Sequence, residues 1–218
     1  MEKMLSRQER EKIEIENTIL QHAENLFSLN GYGNTSMDML AKNCEYTKRT
    51  IYRYFTSKED LYFAVLLRGH MRLLENIRVE IQCGNTGYEK ISLVYDVFFE
   101  FYKNSGSLFD MMSEIKSATL RKDLYTLPYY VKYADCIKTI YQEVISLFQM
   151  ASYDKSIRND VDATQLGFSM AFLLNGFIHM LSLCEDSFMA FFSLDKEKFI
   201  GFTQNLLLGI MSGEKTDY

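Results

Sequence analysis

Residues 35–60, TSMDMLAKNCEYTKRTIYRYFTSKED, restrict the fold more than any other stretch, because they read as two short helices joined by a tight turn and followed by the start of a third. Thr35 or Ser36 can cap the first helix and Thr47 the second, since a hydroxyl accepts one of the backbone N–H groups that a helix start leaves unpaired. Leu40 and Ala41 point inward between the caps, and Ile51 and Phe55, four apart, share one helical face. The other face of the second helix carries Lys48, Arg49, Tyr52 and Arg53, donors suited to phosphate oxygens and base edges. From Lys42 to Lys58 the net charge is +4, in a chain whose total is −5. A solvated face is the ordinary reading of a charge cluster. Here caps, inward residues and cations agree, and together they predict a helix laid in a DNA groove.

The rest of the chain favours helices. One proline, Pro128, and 11 glycines in 218 residues leave long uninterrupted stretches, and no alternating run bounded by Asn-Gly turns suggests a sheet. At 47% hydrophobic the chain can bury one or two modest cores. The expectation is all-α: a three-helix DNA-binding domain over residues 1–60 and a larger helical domain over 61–218. Residues 1–14 are polar and of mixed charge, a solvated lead into the first helix, in which Lys3, Arg7 and Arg10 are diluted by glutamates. That helix should stop near Asn30-Gly31, and a fourth should run from a Ser57/Asp60 capping box to about Cys83. Beyond the Gly84-Asn85-Thr86-Gly87 break, helices are expected at about 88–104, 107–120, 126–152, 162–185 and 195–212.

The segment ILQHAENLFSLNGYGNTSMDMLAKNCEYTKRTIYRYFTSKEDLY resembles the N-terminal DNA-binding domain of the TetR family of bacterial transcriptional regulators. Ala23, Leu26 and Phe27, then Gly31 and Tyr32, Thr35 and Ser36, Thr50-Ile51-Tyr52 and Phe55, and finally Ser57 to Leu61 carry the likeness. The resemblance implies that Thr47, Lys48, Arg49, Thr50, Tyr52, Arg53 and Tyr54 lie on or beside the recognition helix, with Thr35 and Ser36 at the start of the preceding one. Lys58 would grip a phosphate. Arg49 and Arg53 suit base reading, because a guanidinium donates bidentately to guanine. One position departs from the family pattern: Glu45 stands where glycine is usual, at a turn through positive φ, for a cost of roughly 1 kcal/mol.

Ala163 to Cys184 runs 22 residues without a charged side chain, long enough to cross a bilayer. Gln165, Asn175 and His179 inside it and the lack of cationic flanks favour a subunit interface instead. Two helices apolar nearly all round, paired with their copies, make a four-helix bundle, for which Gly167, Met170, Ala171, Leu174, Phe177, Ile178, Leu206 and Ile210 are the candidates. The resemblance points the same way. A twofold homodimer sets two recognition helices about 34–36 Å apart, one turn of a near-palindromic operator.

The middle helices hold the aromatic residues and methionines, among which Phe98, Tyr102, Phe109, Met112, Tyr129 and Tyr133 are candidates to bind a small apolar or aromatic effector. Core packing is the competing reading of such a stripe. His22, His70 and His179 and the scattered Cys44, Cys83, Cys136 and Cys184 show no ligand spacing, so no metal or cofactor is expected, and no nucleophile, base or phosphate loop indicates an enzyme. The charged N-terminus is unlike a signal peptide, which suggests the cytoplasm. The function expected is that of an effector-released repressor bound to operator DNA, without a membrane. The alternative is an adaptor or membrane-associated regulator acting mainly through protein contacts.

Overall fold

The computed structural model describes residues 6–105, 108, 111, 122–183 and 186–212, and every regular element among them is helical. The helices are α1 (Arg7–Asn34), α2 (Met37–Asn43), α3 (Lys48–Tyr52), α4 (Lys58–Glu80), α5 (Gly87–Asn104), α6 (Pro128–Tyr153), α7 (Ala163–Leu183), α8 (Asp186–Phe191) and α9 (Lys196–Ser212). The all-α expectation holds. The helix expected over 107–120, with Phe109 and Met112, lies outside the described residues apart from Leu108 and Met111. The fourth helix tightens into a 3-10 turn at Ile81–Cys83. A short helix, α8, stands where the sequence suggested only a break, because six residues are too few to display a period.

The chain forms two compact units, one of Met1–His70 and Met111–Cys136, the other of Met71–Asp110 and Ile137–Tyr218. In the first, α1 to α3 and the start of α4 close over Ile19, Ala23, Phe27, Leu40, Ile51, Phe55 and Leu61, all at most 2% exposed. Gly31, at φ 73°, kinks α1 where the sequence predicted a stop. Asp60, also buried, joins three segments: its N–H donates to Ser57 Oγ (3.1 Å), and its carboxylate accepts from the backbone and hydroxyl of Thr56 (both 3.0 Å) and from the N–H of Tyr129 (2.9 Å). The expected capping partner of Ser57 is thus half right. The carboxylate turns to Thr56 and the first turn of α6, whose unpaired N–H groups attract it.

In the second unit the backbones of α5 and α6 meet. A Cβ on Gly87 would lie 2.3 Å from the Cα of Ala151, and the Gly87 N–H donates to Asp154 (2.7 Å) while that of Tyr88 donates to Ser156 Oγ (2.9 Å). Along α7, Gly167, Met170, Leu174, Ile178 and Leu181 form one buried stripe at spacings of three and four. This corrects part of the interface expectation. Gly167 packs on Ile145 and Phe148, and Met170, Leu174 and Ile178 are 2% exposed or less, so these four have no surface left for a second chain. Ala171 and Phe177 are partly covered, while Leu206 and Ile210 are exposed. The outer face of α7 and α9 is apolar too: Phe172 is 68% exposed and Phe202 64%, with Leu173, Met180 and Leu183 beside them in the sequence pattern. By length and composition α7 could cross a membrane.

Candidate nucleic-acid interface

Local hydrogen bonds fix the two short helices. Ser36 Oγ accepts from the Met39 N–H (3.2 Å) and is the cap of α2. Thr35 is not available to a ligand: it is buried, and its hydroxyl reaches the Gly31 (2.9 Å) and Leu26 (3.2 Å) carbonyls, closing the kink at the end of α1. The tie between these two candidate caps is therefore broken in favour of Ser36, and Thr35 is a structural residue. Thr47 caps α3 by accepting from the Thr50 N–H (3.1 Å), and the two hydroxyls lie 2.9 Å apart.

The turn between α2 and α3 explains Glu45. Its φ is 56°, the Tyr46 N–H donates to the Ala41 carbonyl (3.0 Å) and the Glu45 N–H to that of Lys42 (3.4 Å), the paired bonds of a Schellman ending. The turn keeps the form that favours glycine and carries a glutamate through it. Two other helices end alike, α6 at Lys155 (φ 61°) and α8 at Ser193 (φ 54°).

Ile51 and Phe55 anchor α3 inward, which turns Lys48, Arg49, Tyr52 and Arg53 out to solvent. The Lys48 ammonium is 2.6 Å from Asp38 of α2. Sequence reasoning missed this, since the two residues lie ten apart across a turn and share no helical spacing. The Arg53 guanidinium lies 5.4 Å from the centre of the Tyr54 ring, and the Lys58 ammonium stands 4.1 Å over Tyr32, whose hydroxyl donates to Glu59 (2.8 Å). Such a stack steers a cation without removing its charge. Behind this surface, Arg68 of α4 pairs with Glu24 of α1 and donates to the Leu20 carbonyl (3.0 Å), and His22 Nδ1 lies 2.6 Å from Asn43 Oδ1. Ser36, Thr47, Lys48, Arg49, Tyr52 and Arg53 are exposed, and Thr50, Tyr54 and Lys58 are partly so.

The candidate effector residues separate between the units. Tyr129 and Tyr133 belong to the first: Tyr129 packs on Phe55 and its hydroxyl bonds Glu16, and Tyr133 lies against Phe63 and edge-on to buried His70. Burial pushes the Tyr129 phenol well above its ordinary range, and Glu16 adds to the shift. Phe98 and Tyr102 belong to the core of the second, on the inward face of α5. A cleft of about 550 Å³ in that unit, lined by Arg72, Asn76, Glu80, Asp96, Glu100 and Phe101 among others, includes neither.

Residues 19–65 match the family model of bacterial regulatory proteins, tetR family. Over 64 residues, 29% of this chain, the sequence is 38% identical to the HTH-type transcriptional regulator UidR of Escherichia coli (strain K12), and the match spans 33% of that protein. In backbone the chain is similar to the fatty acid degradation regulator FadR from Bacillus halodurans, with a TM-score of 0.66 at 18% identity over 88% of this chain and 97% of that one. It is similar also to the regulator FadR from Bacillus subtilis, solved in complex with stearoyl-CoA, with a TM-score of 0.64 at 18% identity over 90% and 97%.

Proposed function

We propose that this chain, whose residues 19–65 match the tetR family of bacterial regulatory proteins, is a cytoplasmic homodimeric repressor which binds a near-palindromic operator and leaves it when a small apolar effector binds. The observation that carries this reading is the second helix of the helix-turn-helix, capped by Thr47 and held from below by Ile51 and Phe55, so that Lys48, Arg49, Tyr52 and Arg53 project together. Arg49 and Arg53 read base edges; Ser36, Thr47, Thr50, Tyr52, Tyr54 and Lys58 hold phosphates.

The exposed apolar stripes of α7 and α9 support a dimer. Phe172, Leu173, Met180, Phe202, Leu206 and Ile210 would otherwise leave a large greasy surface in water. Residues 1–60 read DNA and 61–218 dimerise and take the effector, whose acyl character is suggested by the stearoyl-CoA bound to a protein of the same fold. For release, the effector must favour the non-binding arrangement by its own differential affinity. Selection of bound sequences from a random DNA pool tests the proposal: two related half-sites about one helical turn apart are expected. A pool that shows no enrichment at low salt refutes it.

A further inference from the structure

Tyr95 lies on α5 in the second unit, 2% exposed, and its hydroxyl has no hydrogen-bond partner among the described residues. Ile91, Phe98, Phe99 and Tyr102 share its helical face at spacings of three, four and seven, and all are buried. Phe99 meets Phe177 of α7 edge-on at 6.1 Å, and Phe177 meets Phe199 of α9 at 5.5 Å, so the same face of α5 looks into an aromatic interior. A phenol is at once an apolar body and a strong donor, and buried donors are almost always paired. Burial alone raises its pKa, with no bond to offset it.

We propose that the Tyr95 hydroxyl is the polar anchor of the effector, donating to a neutral carbonyl oxygen on an otherwise apolar molecule: an ester, thioester, amide or ketone. The inference rests on the effector reading above and narrows it. Neutrality follows from the surroundings, because, tyrosines and cysteine apart, the buried polar or charged side chains among the described residues are Thr35, Asp60 and His70, all in the first unit. A carboxylate carried to Tyr95 would find phenol donors at most and no cation among the buried described residues, and a charge so placed loses far more hydration than a carbonyl does. A carbonyl accepts the one hydrogen bond on offer. The apolar remainder of the ligand meets rings.

The test uses the full chain, wild type and Tyr95→Phe, titrated with methyl dodecanoate and with dodecanoate at pH 8, alongside melting curves without ligand. Wild type should bind the ester at least tenfold more tightly than the carboxylate, and Tyr95→Phe should lose at least tenfold in ester affinity while melting at or above the wild-type temperature. Equal ester binding by wild type and Tyr95→Phe, preference for the carboxylate, or no binding of either compound overturns the proposal. So does a free Tyr95→Phe variant that melts several degrees low, since the hydroxyl would then have a structural partner such as an enclosed water. Retardation of operator DNA by the ligand-free wild type reports on the regulator reading separately, so the two can fail independently.

Discussion

A side chain at φ 56° holds its Cβ against the neighbouring carbonyl, and Glu45 bears that strain at the turn between α2 and α3. Glu45→Gly should stabilise the protein by about 1 kcal/mol, raising the melting temperature by roughly 2–4 °C. A calorimetric scan showing no rise would mean that the glutamate side chain gains locally what its backbone loses. At the reading surface, Lys58→Ala should weaken binding to every DNA sequence alike and make the salt dependence shallower by about one counterion. Arg49→Ala or Arg53→Ala should relax sequence preference as well. Binding curves on operator and unrelated DNA at several salt concentrations separate the two outcomes, and a uniform loss in all three variants would erase the division between readers and anchors. The cations were legible in the sequence; the Asp38 carboxylate that meets Lys48 was not, because only the folded turn brings it there.

Among the helices, α5 and α6 depend on a close approach that only a glycine on α5 allows. Gly87 sits at the first position of α5, where a methyl group would fall 2.3 Å from both the Cα and the Cβ of Ala151, atoms fixed to the backbone that cannot turn away. Gly87→Ala should therefore cost about 1–3 kcal/mol or more, read as a lower denaturant midpoint. The sequence showed Gly87 as a break, and rightly so as far as Thr86 caps the next helix through its bond from Glu89 N–H (3.2 Å). That the glycine is also a packing residue depends on Ala151, remote in the chain and silent in any local pattern.

At the scale of the whole molecule, one prediction concerns assembly and another acidity. Phe172→Glu or Phe202→Glu places a charge on the exposed apolar face and should convert the proposed dimer to monomer with the fold retained, as light scattering and circular dichroism together would reveal. A variant that stays dimeric would move the interface elsewhere. His70 is buried, with its Nδ1–H donating to the Leu66 carbonyl (2.9 Å), and desolvation lowers its pKa below 6.5. The unfolded chain takes up a proton at this histidine before the folded one does, so its contribution is full above about pH 6.5 and falls as pH drops from there toward the folded pKa. Denaturant titrations from pH 7.5 to 5 should show that decline, and His70→Gln should flatten it.

What the sequence by itself determined is what short-range chemistry decides. Thr47 reaches only as far as Thr50, Ser36 only as far as Met39, and the helices follow from uninterrupted runs of residues without proline; each of these is settled within one or two turns. Tertiary structure alone chose which side of α7 faces inward, since a helix apolar all round carries no sign of its buried stripe, and so Met170, Leu174 and Ile178 went to the core while Phe172 went to the surface. It also brought the Tyr129 N–H to the Asp60 carboxylate and left the Tyr95 hydroxyl without an acceptor among the described residues. Burial and pairing depend on atoms far away along the chain, and no window of neighbouring residues contains them.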